Sequence, residues 1–280
     1  MLPEWRDIAV FLDASPRGDR IGQRAAQLAR RGKAHLIGIH AVPRELHPSD
    51  GYARGPAIKG MLDSRRQAEE EKAATAGRHF AQLTLDHAIS SEFRVVWHGG
   101  STDAAVLRSL HSDLIVSAHP RLEGLPAAWS GEKLLLDTGT PVLLVPDAWT
   151  GETIGNRVVI AWNRSREARR AVNDAMPFIC AASQVTILIV DRVGYDDATE
   201  ANPGANLFDH LTRHGARVDI ADISSDRTPI AHVITDEAIR RGADLLVLGA
   251  YSRPRTQELI FGGTTRTLLS DPPIPFLISR

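Results

Sequence analysis

Residues 7–13, DIAVFLD, and 156–163, NRVVIAWN, open two stretches of chain that run through the same order of apolar segments and turns. This internal repeat constrains the architecture more than any other feature. Asp13 matches Asn163 and Ser15 matches Ser165, each pair 150 positions apart. An alanine-bearing helix is expected after each, over Ile21–Arg30 and Ala168–Ala181. The strands expected at His35–Val42 and Val185–Val190 keep the same offset. Asp113–Ser117 then matches Asp244–Leu248 at an offset of 131, and each half closes on a short strand, Pro141–Pro146 and Pro275–Ile278.

Short apolar runs without polar alternation belong to strands buried on both faces, hence to parallel strands covered by helices. Strand and helix alternate in each half, which predicts two tandem α/β domains. Each is a doubly wound, mostly parallel five-stranded sheet with helices on both faces. The polar, glycine-bearing connection 148–155 sets the expected domains at 1–148 and 155–280, both of ordinary size. Pro43–Gly60 reads as a long loop ahead of an amphipathic helix over Met61–His87.

Lys+Arg number 33 against 34 Asp+Glu, a net charge of −1, so no long-range field draws the chain to nucleic acid or to an anionic membrane. The one cysteine, Cys180, excludes an intrachain disulfide and a cysteine zinc framework. No secretory leader pattern opens the sequence and no run reaches a membrane-spanning length, which gives a cytoplasmic expectation.

An open parallel sheet binds ligands in the crevice beyond the carboxyl ends of its strands. In the second half those ends are Ala161–Asn163, Val190–Asp191 and the segment from Gly249 onward. Gly262, Gly263 and Thr264 precede a helical run at Thr265–Leu269, and the free amides at such a start attract phosphate. Thr264 and Thr265 add hydroxyls, and Arg253, Arg255 and Arg266 add positive charge. The same Gly-Gly-Thr-Thr pattern also reads simply as a turn and a helix cap.

The stretch Gly249, Ser252, Gly262, Gly263 carries the spacing G-x2-G-x9-G-[ST], and the chain resembles the universal stress protein family on that motif. The opening strands and helices of both halves and the closing TRTLLSDPPIPFLI are similar to that family too, so the resemblance spans nearly the whole chain. It implies an adenine-nucleotide pocket for ATP or a related nucleotide. Ala161, Asn163, Val190 and Leu248 would lie around the base, and Gly249, Ser252, Gly262, Gly263 and Thr264 around ribose and phosphates. Arg253, Arg255 and Thr265 are further phosphate contacts on that reading. The sequence departs from the family pattern at three places: Asn163 stands for Asp, Ser252 for Gly, and Gly263 for Ser or Thr.

The first half lacks the glycine spacing, and its bulky Leu122–Trp129 loop is expected to cover or fill the pocket. Asp13, His40, His98 and His119 fall at strand ends there, either as an alternative ligand or metal crevice or as ordinary core and rim histidines. Ser15 and Ser165 lie in no nucleophile elbow and read as helix caps, and no P-loop is present. No catalytic residue is assigned, and weak ATP hydrolysis is the most enzymatic reading. A nucleotide-responsive stress protein, a scaffold acting through protein contacts, and a fold-related hydrolase therefore stand as alternatives. Partners are a small ligand and an unidentified protein. The closing strands Val142–Val145 and Phe276–Ile278 are expected to pair within the chain as a pseudo-dimer, and a homodimer is a further option.

Overall fold

The computed structural model describes residues 4–44, 56–99, 107–123, 125–126, 129–191, 204–250 and 263–280. The chain divides into two compact units, 5–140 and 1–4 together with 141–280. In the first, strands β1 (Asp7–Leu12), β2 (His35–Pro43), β3 (Ser91–His98) and β4 (Leu114–His119) lie in the order β3-β2-β1-β4, all parallel. Helices α1 (Pro16–Gly32), α2 (Pro56–His87) and α3 (Gly131–Thr138) belong to the same unit.

In the second unit, β5 (Val142–Pro146) pairs antiparallel with β10 (Phe276–Ser279), Leu277 opposite Leu143. The parallel order then continues as β10-β9-β6-β7-β8 through β6 (Arg157–Ala161), β7 (Gln184–Val190), β8 (Val218–Ile223) and β9 (Leu245–Gly249). Its helices are α4 (Arg166–Asp174), α5 (Met176–Ala181), α6 (Ala205–Arg213), α7 (Ile230–Arg240) and α8 (Gly263–Ser270). The last strand of the first repeat thus adds its edge to the last strand of the second.

Strand interiors are apolar on both faces, as in Ile8–Leu12 and Leu245–Leu248, all buried. The first helix of each repeat begins where a serine caps it. Ser15 Oγ accepts the Gly18 amide at 3.1 Å and Ser165 Oγ accepts the Ala168 amide at 3.0 Å, so the matched serines fill matched cap positions. The single helix expected over Ala168–Ala181 is instead two, broken at Ala175 because Pro177 has no amide to continue the first. The helix expected from Met61 begins at Pro56, and from Ile58 to Thr75 none of its residues is buried; Ala76, Phe80 and Thr84 are. Of the loop expected over Pro43–Gly60, Pro43 ends β2 and residues 56–60 open α2, while residues 45–55 lie outside the described residues.

One carboxylate per repeat fixes how its sheet starts. Asp113 Oδ2 accepts the amides of Arg6 at 2.7 Å and Asp7 at 3.0 Å, while its own amide donates to the Asp7 carbonyl at 2.8 Å. Asp244 does the same for β6: Oδ1 accepts Arg157 N at 2.8 Å and Gly155 N at 3.1 Å, and its amide donates to the Arg157 carbonyl at 3.0 Å. Its Oδ2 also accepts Asn156 N at 3.1 Å and the Thr153 hydroxyl at 3.2 Å, which anchors the connection between repeats. Gly155 is in the left-handed region with φ +80, and a Cβ there would lie 2.3 Å from the Phe178 ring, so no other residue fits this turn. Asp244→Ala should lower stability by about 2–3 kcal/mol and Asp113→Ala, with fewer bonds at stake, by about 1–2 kcal/mol, given charge-assisted hydrogen bonds of this kind. Thermal unfolding of the full chain checks this; equal midpoints for the two variants would contradict it.

Candidate functional site

The strand order β9-β6-β7 brings Leu248, Ala161 and Val190 to one end of the second unit's sheet, with Ala161 in register with both Leu188 and Leu248. Beyond β6, the Trp162 amide donates to the Leu188 carbonyl at 2.9 Å, and the exposed Asn163 turns back on its own chain. Asn163 Oδ1 accepts the Ser165 amide at 3.1 Å. Only an oxygen can accept from a backbone N–H, so the amide nitrogen Nδ2 is left as the outward donor. In the first repeat Asp13 makes the same turn, with Oδ1 accepting the Ser15 amide at 3.0 Å and the Ser15 hydroxyl, and its second oxygen is an acceptor. The two repeats therefore present opposite hydrogen-bond polarity at matched positions.

Past Val190, Asp191 takes φ +46 and its Oδ1 accepts the Ser225 amide at 2.8 Å, tying the end of β7 to the loop after β8. Hydrogen bonds from the Ser225 hydroxyl and amide hold the Asp191 carboxyl below its ordinary range. Sequence reasoning had no means to find this clamp, because Ser225 lies in a loop 34 residues away.

Gly249 ends β9, and a Cβ on it would lie 2.2 Å from Ala168 N and 2.7 Å from the Glu167 carbonyl oxygen. The space freed by this glycine thus admits the first turn of α4. Gly263 differs: it is exposed at the start of α8, and a Cβ built there meets nothing within 4 Å among the described residues. Thr264 and Thr265 follow, half-buried, in the same first turn, while Leu268 and Leu269 anchor the helix in the core. Ser252, Arg253, Arg255 and Gly262 lie outside the described residues.

In the first unit the corresponding space is full. Trp129 is completely buried, its ring 5.3 Å from Phe11 on β1 and 5.9 Å from His98 at the end of β3, both edge-to-face. Leu122 and Leu125 of the same loop are buried beside it in sequence. The position 150 residues after Phe11 is Ala161, so the second repeat lacks the phenyl ring on which this filling rests.

The four strand-end residues of the first unit do not converge. His40 is in register with Leu12 and His98 with Pro43, so the two histidines project from opposite faces of the sheet. His98 meets Trp129, whereas His40 stacks on Phe93, which in turn packs on Phe80 of α2. Asp13 is engaged in its turn, and His119 precedes a cis peptide bond to Pro120. Among the described residues, no group of three or more His, Cys, Asp or Glu is placed to hold a metal ion.

His40 is buried, with Nδ1 donating to the Leu12 carbonyl at 3.2 Å, which leaves Nε2 as the bare nitrogen. Nε2 is buried with no hydrogen-bond partner among the described residues. Burial therefore pushes the imidazole pKa below its ordinary value, partly opposed by the Leu12 carbonyl, Glu69 and Asp13. The unfolded chain then takes up this proton at a higher pH than the folded one. Stability is full above pH ~6.5 and falls as the pH drops below it, and His40→Gln should flatten that fall relative to the parent chain. Thermal midpoints between pH 7.5 and 5.5 test this, and identical slopes would refute it. At the crevice, Gly249→Ala should cost about 3 kcal/mol by forcing α4 off β9, read as a lowered midpoint in chemical denaturation.

With this geometry in place, comparison with known proteins is direct. The model of the Universal stress protein family matches residues 4–146 and again 156–280. No curated protein sequence matches the chain. Among solved structures, a universal stress protein from Archaeoglobus fulgidus DSM 4304 superposes with a TM-score of 0.70 at 14% identity, covering 98% of each chain. A protein of unknown function from Pseudomonas aeruginosa PAO1 has a TM-score of 0.56 at 18% identity, covering 98% of this chain and 92% of that one. At these identities the structures speak for the fold, and the double family match decides membership: the chain belongs to the universal stress protein family, with two of its domains in tandem.

Proposed function

We propose that the crevice at the carboxyl ends of β6, β7 and β9 binds an adenine nucleotide of the ATP type. On this reading the chain is a cytoplasmic, nucleotide-responsive stress protein and not an enzyme of rapid turnover. The repeats run over 1–148 and 155–280, and only the second retains a usable crevice. The observation that carries this is Ala161 standing where the first repeat has Phe11: one repeat fills the space with Phe11 and Trp129, and the other omits the ring. The start of α8 at Gly263, exposed and with no neighbour at its Cβ among the described residues, supports a phosphate-binding end together with the Thr264 and Thr265 hydroxyls. Asn163 offers an N–H donor, so the base edge that meets it would present a ring nitrogen acceptor and not an amino group.

One observation favours a second reading. The missing side chain of Gly249 is already answered by the first turn of α4, which suits a scaffold that keeps the motif for packing alone.

Calorimetric titration of the full chain with ATP and with ADP separates the two. One site per chain is expected, weakened at least tenfold by Ala161→Phe, which imports the first repeat's ring. Thr264→Val, a milder change, should weaken it severalfold with an unchanged thermal midpoint. No heat with either nucleotide at millimolar concentration would leave the scaffold reading.

A further inference from the structure

The opposite, amino-terminal end of the same sheet carries a polar groove of about 240 Å³ that the nucleotide reading does not use. Arg157 on β6, Gln184 and Thr186 on β7, and Asp219 on β8 line it, together with Arg241 just after α7. Arg157 is in register with Gln184 and Thr186 with Asp219, so all four strand residues project from one face. That face is otherwise apolar: Val159 lies level with Thr186, and Leu188 and Ala221, the next residues along β7 and β8 on the same face, are buried.

The fold does not require polar residues at Gln184, Thr186 and Arg241. The first repeat has Ala34, Leu36 and Leu110 at the places of Gln184, Thr186 and Arg241, and all three are buried and apolar. Placing an amide, a hydroxyl and a guanidinium where a sister domain places a plain core forfeits hydrophobic burial.

The acceptors of the cluster are largely engaged from within. Asp219 accepts from Gln184 Nε2 at 2.8 Å, Thr186 Oγ1 at 2.8 Å and Arg241 Nη1 at 2.9 Å. Glu237, buried in the last turn of α7, accepts from Arg241 Nε at 2.6 Å and from Arg240 Nε and Nη2 at 2.7 and 2.5 Å. Donors remain in excess. Arg241 Nη2 has no acceptor among the described residues, and Arg157 spends only Nη1, in a long 3.4 Å bond to the Arg241 carbonyl. Two guanidiniums, Arg157 and Arg241, line the groove with one carboxylate, Asp219, so unspent N–H groups turn to a space with room for a small molecule.

We propose that this groove is a second ligand site, binding the phosphate or carboxylate group of a small metabolite through Arg157 and Arg241. Arg157 reaches the anion as a side chain free to adjust, while Arg241 is held by Glu237 and Asp219 as the fixed wall. The site is independent of the nucleotide crevice, being built from the other ends of the same strands.

Titration of the full chain with inorganic phosphate at constant ionic strength, followed by backbone amide NMR, tests it site by site. Saturable shifts are expected at Thr186, Asp219 and Gly242, and Arg157→Gln, at an exposed position, should weaken them at least tenfold without moving the thermal midpoint. Acetate run in parallel distinguishes the two anion classes: stronger saturation by one names the natural group. The proposal is overturned if shifts appear only at Gly263–Thr265, if chloride reproduces them, or if Arg157→Gln changes the affinity less than twofold.

Discussion

The start of each sheet hangs on one aspartate. Asp113 and Asp244 clasp the first strand of their repeat by its opening amides and donate their own amide back to it. A parallel pair has evenly spaced, slanted bonds and no hairpin to fix its register, so a terminal clamp of this kind decides which residues lie level. With Asp7 and Arg157 held, the chain reaches Phe11 and Ala161 at the same height, and everything at the carboxyl ends follows from that alignment. The site is thus positioned from the far side of the sheet.

On this common frame of strands the repeats have diverged in the side chains at the strand ends. Phe11, Trp129 and His98 form an edge-to-face aromatic cluster, the kind of packing that adds favourable geometry to a large buried area. Replacing Phe11 by Ala161 removes the platform of that cluster in the second repeat. The polarity of the neighbouring turn changes as well, from an acid that only accepts to an amide that also donates.

Much of the frame was legible in the sequence because its signals are local or periodic. Uninterrupted apolar runs marked the buried strands, the offset of 150 shared by the opening elements marked the repeat, and Ser15 and Ser165 marked the helix starts. The break at Ala175 was equally local, since Pro177 announces it, but the apolar pattern on both sides concealed it. Gly249 was legible as a glycine that must be a glycine. Its reason was not, because the contact with Glu167 and Ala168 joins segments some 80 residues apart and no spacing rule reports such an approach. The polar groove was invisible for a related reason: Thr186 and Asp219 look like incidental polar residues in two strands until register sets them side by side.

Energetics connect the two ends of the second repeat. A strand-end position that holds alanine where its sister holds a buried phenylalanine forgoes up to about 3–5 kcal/mol of packing, and threonine in place of a buried leucine forgoes a further share. Native domains have little stability to spare, so two such concessions in one domain call for compensation. Part of it is visible at the amino end, where Asp219 and Glu237 are saturated with hydrogen bonds and Asp244 holds four donors. The carboxyl end has no comparable set among the described residues beyond the Asp191–Ser225 clamp. A ligand that binds the folded state alone contributes stability in proportion to the logarithm of its concentration over its dissociation constant. On the proposed reading, a ligand in that crevice returns to the second repeat what Phe11 and Trp129 give the first, and the stability of that repeat reports its occupancy.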